Sequence, residues 1–248
     1  MEDAKIYDNP DVIFWKCIQE LNDKSVKGKW EWPCPDKEHL YKDDECIMLS
    51  RNTLEYKSGI ATAYAKIMRM DFCKANHLEH SRNLRQGMEG VEFCMRVFYA
   101  AKRSLFLNKY YNHYQYNPNS LSKVVSKKNA EYMYDSIVEI DKSIDSFKGD
   151  TQLFKASLYK RSLYALIAIA MSTYFHPNNK DSLSQKKAEF DALCSRNGFA
   201  VALKHADISD FDKSRKIVVW IIRNRLYGLL PFVVKAKVFL LSKGYYNY

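Results

Sequence analysis

The sequence has 248 residues, of which 47% are hydrophobic, and a formal net charge of +10 at pH 7. This apolar content excludes an intrinsically disordered chain, and the length is enough for one large domain or two small ones. The polar, acidic first residues are not expected to be a secretory signal, and no run reaches the roughly 18 apolar residues of a membrane-spanning helix. Six cysteines without a C-x-x-C pair predict reduced thiols in a cytosolic protein, with no zinc site.

The positive charge is unevenly distributed along the sequence. Between Ala101 and Lys128 six bases occur without an acid, and after Asp212 eight bases follow without an acid. A basic surface attracts anions, which include the phosphates of nucleotide sugars, acidic glycans, anionic lipids and nucleic acids. Charge alone leaves all of these partners open.

The first half of the sequence is predicted to mix short strands, loops and helices. Residues 11–17 follow an Asn-Pro pair and are rich in β-branched and aromatic side chains, which predicts a strand. Residues 28–33 predict a hairpin or an exposed loop. Residues 66–68 predict a short strand or turn that leads into a helix from about Asp71.

The next segment predicts a helix followed by two strands. Apolar residues within 91–98 recur at spacings of three and four, which is typical of an amphipathic helix, and Gly87 and Gly90 are expected in the loop before it. Residues 105–107 predict a short buried strand. Alternation over 110–116 predicts a second strand.

From residue 129 onward the sequence predicts nearly continuous helix. The expected helices are 129–147, 151–175, 184–195, 197–205 and 213–242. Gly228 and Pro231 are expected to kink the last one. The predicted fold class is therefore α+β, with a few short strands in residues 1–128 and a large helical region in residues 129–248.

Several short motifs occur in an order that is similar to one protein family. They are the strand at 12–14, Ala65-Lys66-Ile67-Met68-Arg69-Met70-Asp71-Phe72, Glu89-Gly90-Val91-Glu92-Phe93, Ala101-Lys102, residues 105–108 and the run 111–120. With the helical tail around 174–179, this order resembles the C-terminal half of family 2 inverting glycosyltransferases of the GT-A fold, which act in bacterial polysaccharide biosynthesis. The resemblance covers roughly residues 11–245.

The resemblance implies a remnant of the GT-A mixed sheet. Residues 1–128 correspond to the acceptor-side half, and residues 129–248 to the helical tail. A complete member transfers a sugar from a nucleotide sugar to a glycan or lipid-linked acceptor, with a divalent metal, Mn or Mg. The family's nucleotide-sugar half and its Asp-x-Asp motif do not occur in this sequence. We therefore expect either a truncated protein that is inactive alone or a non-catalytic partner, and no cofactor bound by the chain by itself.

Glu89 is the catalytic candidate that the resemblance implies. In the family, the aspartate of a Glu-Asp pair is the general base that deprotonates the acceptor hydroxyl. Gly90 occupies the aspartate's place here, and Glu89 stands one position earlier. Positioned proton transfer contributes roughly 10²–10⁴ to a rate. The alternative is that Glu89 is a carboxylate favoured by the helix dipole at an N-terminus.

The resemblance also implies residues that line the donor and acceptor cleft. Lys66 and Arg69 match a basic pair beside the donor, and His113 lies where a histidine can approach the nucleotide. Tyr64, Tyr111 and Tyr114 could stack on sugar rings. For each of them a surface, packing or other structural role is the alternative.

Other acidic and histidine clusters are expected to have no metal role. Residues 210–212 spell Asp-x-Asp but precede a helix, which predicts a cap. Residues 43–45 predict a solvated loop. His77 and His80 have no further ligands at zinc spacing.

The basic, apolar-rich stretch at 217–237 has two open interpretations. It is an interfacial helix on an anionic membrane, or a terminal helix that packs in the core while its lysines reach solvent. The first predicts a non-catalytic protein that binds a membrane surface or a partner, peripherally attached at the inner face of the membrane. Nucleic-acid binding through residues 110–128 is disfavoured, because no nucleic-acid motif accompanies them.

Overall fold

The computed structural model describes residues 9–21, 26–29, 35–56, 58–85, 87–115 and 125–242. The protein is α+β, as the sequence predicts. It divides into two compact units: residues 1–120 with 142–149, and residues 121–141 with 150–248. That the first unit is an acceptor-side half stays a prediction.

A mixed sheet lies at the centre of the first unit. Its strands are β1 (Val12–Leu21), β2 (Val26–Lys29), β3 (His39–Lys42), β4 (Lys66–Met68) and β5 (Arg103–Gln115). Strand β1 runs parallel to β5 on one edge and pairs antiparallel with β4 and β2 along its other edge. Strand β3 pairs antiparallel with β5. The predicted strands at 11–17 and 66–68 are confirmed.

Helices α1 (Asp44–Asn52), α2 (Met70–Ala75) and α3 (Glu89–Ala100) lie on the connection between the two parallel strands, with a 3₁₀ turn at Gly59–Ala61. Parallel strands need such a long crossover. The core forms where Phe14 of β1 meets Phe98 of α3 and Phe106 of β5, with ring centroids 5.3 and 5.4 Å from that of Phe14. The apolar stripe predicted for 91–98 is therefore the face of α3 that packs on the sheet.

The Asp11 carboxylate connects residues at the ends of three strands, and we name this set of contacts the Asp11 joint. Its Oδ2 accepts the backbone N–H groups of Lys102 and Arg103 at 2.8 and 3.1 Å, and Arg69 Nη2 lies 3.1 Å from its Oδ1. Asp11 is 7% exposed. Its buried charge is compensated by these three donors, which tie β1, β4 and β5 together.

Two features of the first unit differ from the sequence prediction. Residues 43–45 are not a solvated loop, since Asp43 precedes α1 and Asp44 lies in its first turn, where acids suit the helix dipole. The two strands predicted at 105–107 and 110–116 are one strand, β5. A register shift relative to β1 leaves residues 108 and 109 as a bulge, and this bulge carries the polar residues that suggest a turn.

The second unit is helical in the part that the structure describes. Its elements are α4 (Lys127–Asp145, to Asp141 in this unit), α5 (Gln152–Ile169) with a π turn (Ala170–Tyr174), α6 (Leu183–Cys194), α7 (Asn197–His205), α8 (Lys213–Arg223), a 3₁₀ turn (Tyr227–Leu229) and α9 (Leu230–Ser242). Phe190 is fully buried and meets Phe175 and Tyr227 edge-on. None of the helices described has the length and apolar character to cross a membrane.

The prediction of one kinked helix over 213–242 is wrong. Helix α8 ends at Arg223, and Arg225 has a φ of 55°, which breaks the helix before Gly228 is reached. The Arg223 guanidinium donates to the carbonyls of Leu203 and Ala206 at 2.8 and 2.9 Å, which holds the end of α8 in place. Pro231 does not kink a continuous helix, because it lies in the first turn of α9, where its missing N–H has no consequence.

A three-residue ion cluster in the second unit predicts a pH effect. Lys127 Nζ lies 2.9 Å from Asp181 Oδ2 and 2.5 Å from Glu189 Oε2, and its hydrogen bonds lower the pKa of both carboxyls. A lowered carboxyl pKa adds stability above the unfolded-state value of about 4. This stability is lost as the pH falls through the folded-state value. Lys127→Met should therefore lower the urea midpoint at pH 7, with a deficit that shrinks towards pH 3.

The neighbouring exposed lysine supplies the control for this prediction. Lys128→Met removes the same charge from the same helix but not the ion pairs. A pH-independent deficit in Lys127→Met, or an equal deficit in Lys128→Met, would show that the ion cluster does not stabilise the fold.

Candidate functional site

The start of α3 packs closely against the segment that follows the 3₁₀ turn. A Cβ atom at Gly90 would lie 3.2 Å from the carbonyl oxygen of Ala61 and 3.4 Å from the backbone nitrogen of Ala63. Gly90 is in the first turn of α3, not in the loop before it as predicted. Glycine allows this approach because it has no side chain. The aspartate that the resemblance implies here would have to displace residues 61–63.

Glu89 is the first residue of α3 and is half-buried. Its Oε2 is shielded from solvent and accepts no hydrogen bond from the residues that the structure describes. The helix N-terminus favours a negative charge here, but it does not supply a partner for this oxygen. Buried polar atoms are normally hydrogen-bonded, and each exception needs an explanation, of which a catalytic role is one.

Ser58 provides a second buried polar atom without a partner. Its side chain is shielded, with the residue 8% exposed, and its Oγ makes no hydrogen bond within the described part of the chain. Its carbonyl oxygen accepts the N–H of Ala61, so it belongs to the turn that contacts Gly90. A carboxylate oxygen and a hydroxyl on two touching elements suit a ligand that carries hydroxyl groups. No feature of the sequence singled out Ser58.

Lys66 lies on the same segment as this contact. Its Nζ donates to the Thr62 carbonyl at 2.5 Å and lies 5.8 Å from the centroid of the Phe98 ring. The Cys94 thiol, one turn into α3, also donates to the Thr62 carbonyl, at 3.4 Å. Burial raises the pKa of Cys94, and the charge of Lys66 partly opposes that shift. These contacts place Lys66 beside α3, the helix that begins at Glu89.

Arg69 has a different setting from Lys66. Its Nη2 pairs with Asp11, its Nε donates to Asp71 at 2.8 Å, and its Nη1 donates to the Asn9 carbonyl at 3.1 Å. These contacts hold β1 and β4 together. The structure gives Arg69 a structural role in the Asp11 joint, whatever else it binds.

The aromatic candidates are distributed over two surfaces. Tyr64 is exposed and belongs to the segment between the 3₁₀ turn and β4, close in sequence to Lys66. His113 is exposed on β5, where it is paired with Ile18 of β1. Tyr114 is also on β5, and its side chain lies outside what the structure describes. The sequence therefore predicts one cleft, but the described residues do not show these side chains in contact with Glu89.

Trp15, which the sequence analysis does not single out, contacts the predicted stacking candidate Tyr111. Its Nε1 donates to Asn112 Oδ1 at 2.5 Å, and its ring meets Tyr111 edge-on at 5.7 Å. Tyr111 is 54% exposed. The pairing of β1 with β5 brings these residues together from positions almost a hundred residues apart, so no local pattern could have indicated it.

The acidic residues before α8 form a helix cap, as predicted. Asp212 Oδ1 accepts the backbone N–H of Arg215 at 2.9 Å, and Asp210 pairs with Lys160 at 3.0 Å. Within the described ranges, no three His, Cys, Asp or Glu side chains are grouped so as to hold a metal ion.

A cleft of about 440 Å³ is open at the Asp11 joint. It is lined by Asp11, Lys42, Asp43, Arg69, Lys102 and Arg103. Glu89 does not line this cleft, and two of the lining residues, Arg69 and Asp11, pair with each other. We attribute this cleft to the joint between strands and assign it no ligand.

Ser58→Ala is expected to raise the free energy of unfolding by about 1 kcal/mol, because it removes a buried hydroxyl that has no partner. The measurement is urea unfolding of the purified chain. Ser50→Ala is the matched control, since the buried Ser50 Oγ donates to the Met95 carbonyl at 2.6 Å and its removal should destabilise the protein. If both variants are destabilised equally, the Ser58 hydroxyl has a partner after all.

Comparison with known proteins assigns no family to this chain. No protein-family model matches the sequence, and a search of curated proteins finds no match. The glycosyltransferase relationship stays a prediction, and any functional conclusion depends on the residues described above.

Proposed function

We propose that the first unit is the acceptor-binding side of an inverting glycosyltransferase, with Glu89 as the general base. The observation that carries the proposal is the shielded, unpartnered Oε2 of Glu89 at the start of α3. The order of strand, short strand, carboxylate-bearing helix and long strand along the chain supports it. The resemblance to family 2 glycosyltransferases implies the same order of elements.

In this proposal, the Glu89 carboxylate accepts a single proton. The acceptor hydroxyl gives its proton to the Glu89 carboxylate while its oxygen forms a bond to the anomeric carbon of the donor sugar. The bond from that carbon to the leaving diphosphate breaks on the opposite face, which inverts the anomeric centre. A carboxylate with a free oxygen is ready to accept this proton.

The neighbours of Glu89 define what an acceptor meets. Ser58 can donate to or accept from a second hydroxyl of the acceptor, and Tyr64 has an exposed ring further along the same segment. Lys66 adds a positive charge on the same segment. A polyhydroxylated sugar, free or lipid-linked, matches these groups better than an apolar ligand does.

The test is acceptor binding by the purified chain. We expect immobilised glycans and lipid-linked sugars to bind the wild type, and the best ligand to lose affinity in Ser58→Ala. We expect no micromolar binding in isothermal titration with UDP and Mn²⁺. Absence of any glycan ligand would contradict the acceptor site, and micromolar UDP binding would contradict the claim that donor binding needs further residues.

We propose, as a second function, that the protein acts at the inner face of a membrane. The observation that favours it is the charge distribution, because eight bases and no acid follow Asp212. Anionic lipids attract such segments by roughly 1 kcal/mol per base near the surface. Sedimentation with anionic vesicles should show binding that falls steeply as salt rises. Equal binding to neutral vesicles would contradict the electrostatic attraction.

A further inference from the structure

Helix α9 has apolar side chains on two opposite faces. Leu230 and Val234 are buried, at 0% and 2% exposure, and attach the helix to its unit. A second set of apolar side chains is exposed at spacings of three and four, and we name it the outer stripe. It consists of Phe232, Ala236 and Phe239.

The outer stripe is large for a surface exposed to water. Phe232 is 70% exposed and Phe239 is 61% exposed. Spacings of three and four place these residues on one side of a helix. Contiguous exposed apolar surface with aromatic side chains marks a binding surface on a soluble unit.

Helix α8 adds a similar feature nearby in sequence. Ile217 and Trp220 are both 55% exposed and are three residues apart on one side of α8. Tryptophan is enriched where an apolar ring lies at a lipid headgroup. Both helices that follow Asp212 therefore expose apolar side chains.

Charge indicates which partner covers the outer stripe. Lys235 is exposed on α9 and lies between Phe232 and Phe239 in sequence, whereas Lys237 Nζ lies 3.8 Å from Met171 Sδ. No acid occurs from Lys213 to the end of the sequence, so neither α8 nor α9 carries a negative side chain. Aromatic and aliphatic residues with lysines, in the absence of acids, are typical of helices that lie on anionic lipid.

Length indicates how such a helix is oriented. Helix α9 has 13 residues. At 1.5 Å per residue it is about 20 Å long, which is less than the roughly 30 Å of a bilayer's hydrocarbon core. It can therefore lie in the plane of the interface but cannot cross it.

We propose that α9 inserts its outer stripe into the interface of an anionic bilayer, parallel to the membrane plane, with Lys235 at the lipid phosphates. The inference rests on the second function proposed above and names the element that inserts. It adds a contribution that salt does not screen, because apolar burial is independent of ionic strength.

The experiment compares vesicle partition of the full chain at low and high salt, using phosphatidylcholine vesicles with and without phosphatidylglycerol. The stripe variant is Phe232→Ser with Phe239→Ser. The matched control is Leu153→Ser on α5, which is 60% exposed. We expect the stripe variant to partition at least about tenfold less at high salt, since two aromatic side chains lose their burial. The control should behave as the wild type.

A second variant tests the electrostatic contribution separately from the outer stripe. Lys235→Gln should weaken low-salt binding and leave high-salt binding nearly unchanged. Salt-sensitive binding that is identical in the wild type and the stripe variant would overturn insertion of α9 but not membrane attraction. No vesicle binding at all would overturn both. Concentration-dependent dimers that the stripe variant abolishes, without vesicle binding, would assign the stripe to a second copy of the chain.

Discussion

Replacing Glu89 with methionine should stabilise the protein by about 1 kcal/mol, because it removes a shielded carboxylate oxygen that no described residue satisfies. The loss of a favourable charge at the N-terminus of α3 opposes this by roughly 0.3–1 kcal/mol. The relief of desolvation is the larger effect. The measurement is urea unfolding at pH 7, with the free energy extrapolated to water.

The same position should be needed for sugar transfer if the proposed function is correct. In an assembly that supplies the nucleotide-sugar half, Glu89→Gln is expected to reduce transfer by roughly 10²–10⁴, as the loss of a positioned base does. Release of the nucleoside diphosphate measures the rate. Glu79→Gln is the control, since its side chain is exposed in the loop before α3.

The stability of Glu89→Met and the transfer rate of Glu89→Gln together distinguish a functional role of the Glu89 carboxylate from a structural one. A residue that destabilises the fold but is needed for activity is a functional residue, since selection retains it against a stability cost. If Glu89→Met destabilises the protein, the carboxylate is structural. If transfer survives in Glu89→Gln, another group is the base.

Glu92→Ala should cost about 3–5 kcal/mol of folding free energy, which is the expected loss on breaking a buried ion pair. Glu92 is 2% exposed and is one turn from Glu89 on α3. Arg96 holds both of its oxygens, with Nη2 at 2.9 Å from Oε2 and Nε bonded to Oε1. Ser143 Oγ donates to Oε1 at 3.1 Å.

The large loss comes from the groups that the substitution leaves behind. Without Glu92, the partly buried Arg96 keeps a bond to the Glu79 carbonyl at 2.7 Å but loses its counter-charge. Removing both partners, as Glu92→Met with Arg96→Met, should cost far less, because no unpaired charge remains. Urea unfolding of the single and double variants measures the difference. A single variant within about 1 kcal/mol of the wild type would show that water satisfies Arg96.

Local patterns predicted most of the helices and strands. The strand at β1, the short β4, the amphipathic α3 and the helices between residues 127 and 205 follow from residue type and spacing. The helix predicted over 213–242 is two helices, because Arg225 breaks it. Helix α1 was missed because its short sequence carries several polar residues. Cys46, Leu49 and Ser50 are buried there only because the fold covers them. Strand β5 was divided in two because its bulge is polar.

The sequence by itself determined the α+β class and the charge distribution, because these depend on neighbouring residues and on composition. That Glu89 is a functional residue stays a prediction from the resemblance. Tertiary structure decided the rest. Glu89 and Glu92 are both acids in the first turn of one helix, yet one has an unpartnered oxygen and the other has a full set of donors. That difference is made by groups distant in the sequence, such as Ser143, and helical spacing cannot indicate which acid will meet them.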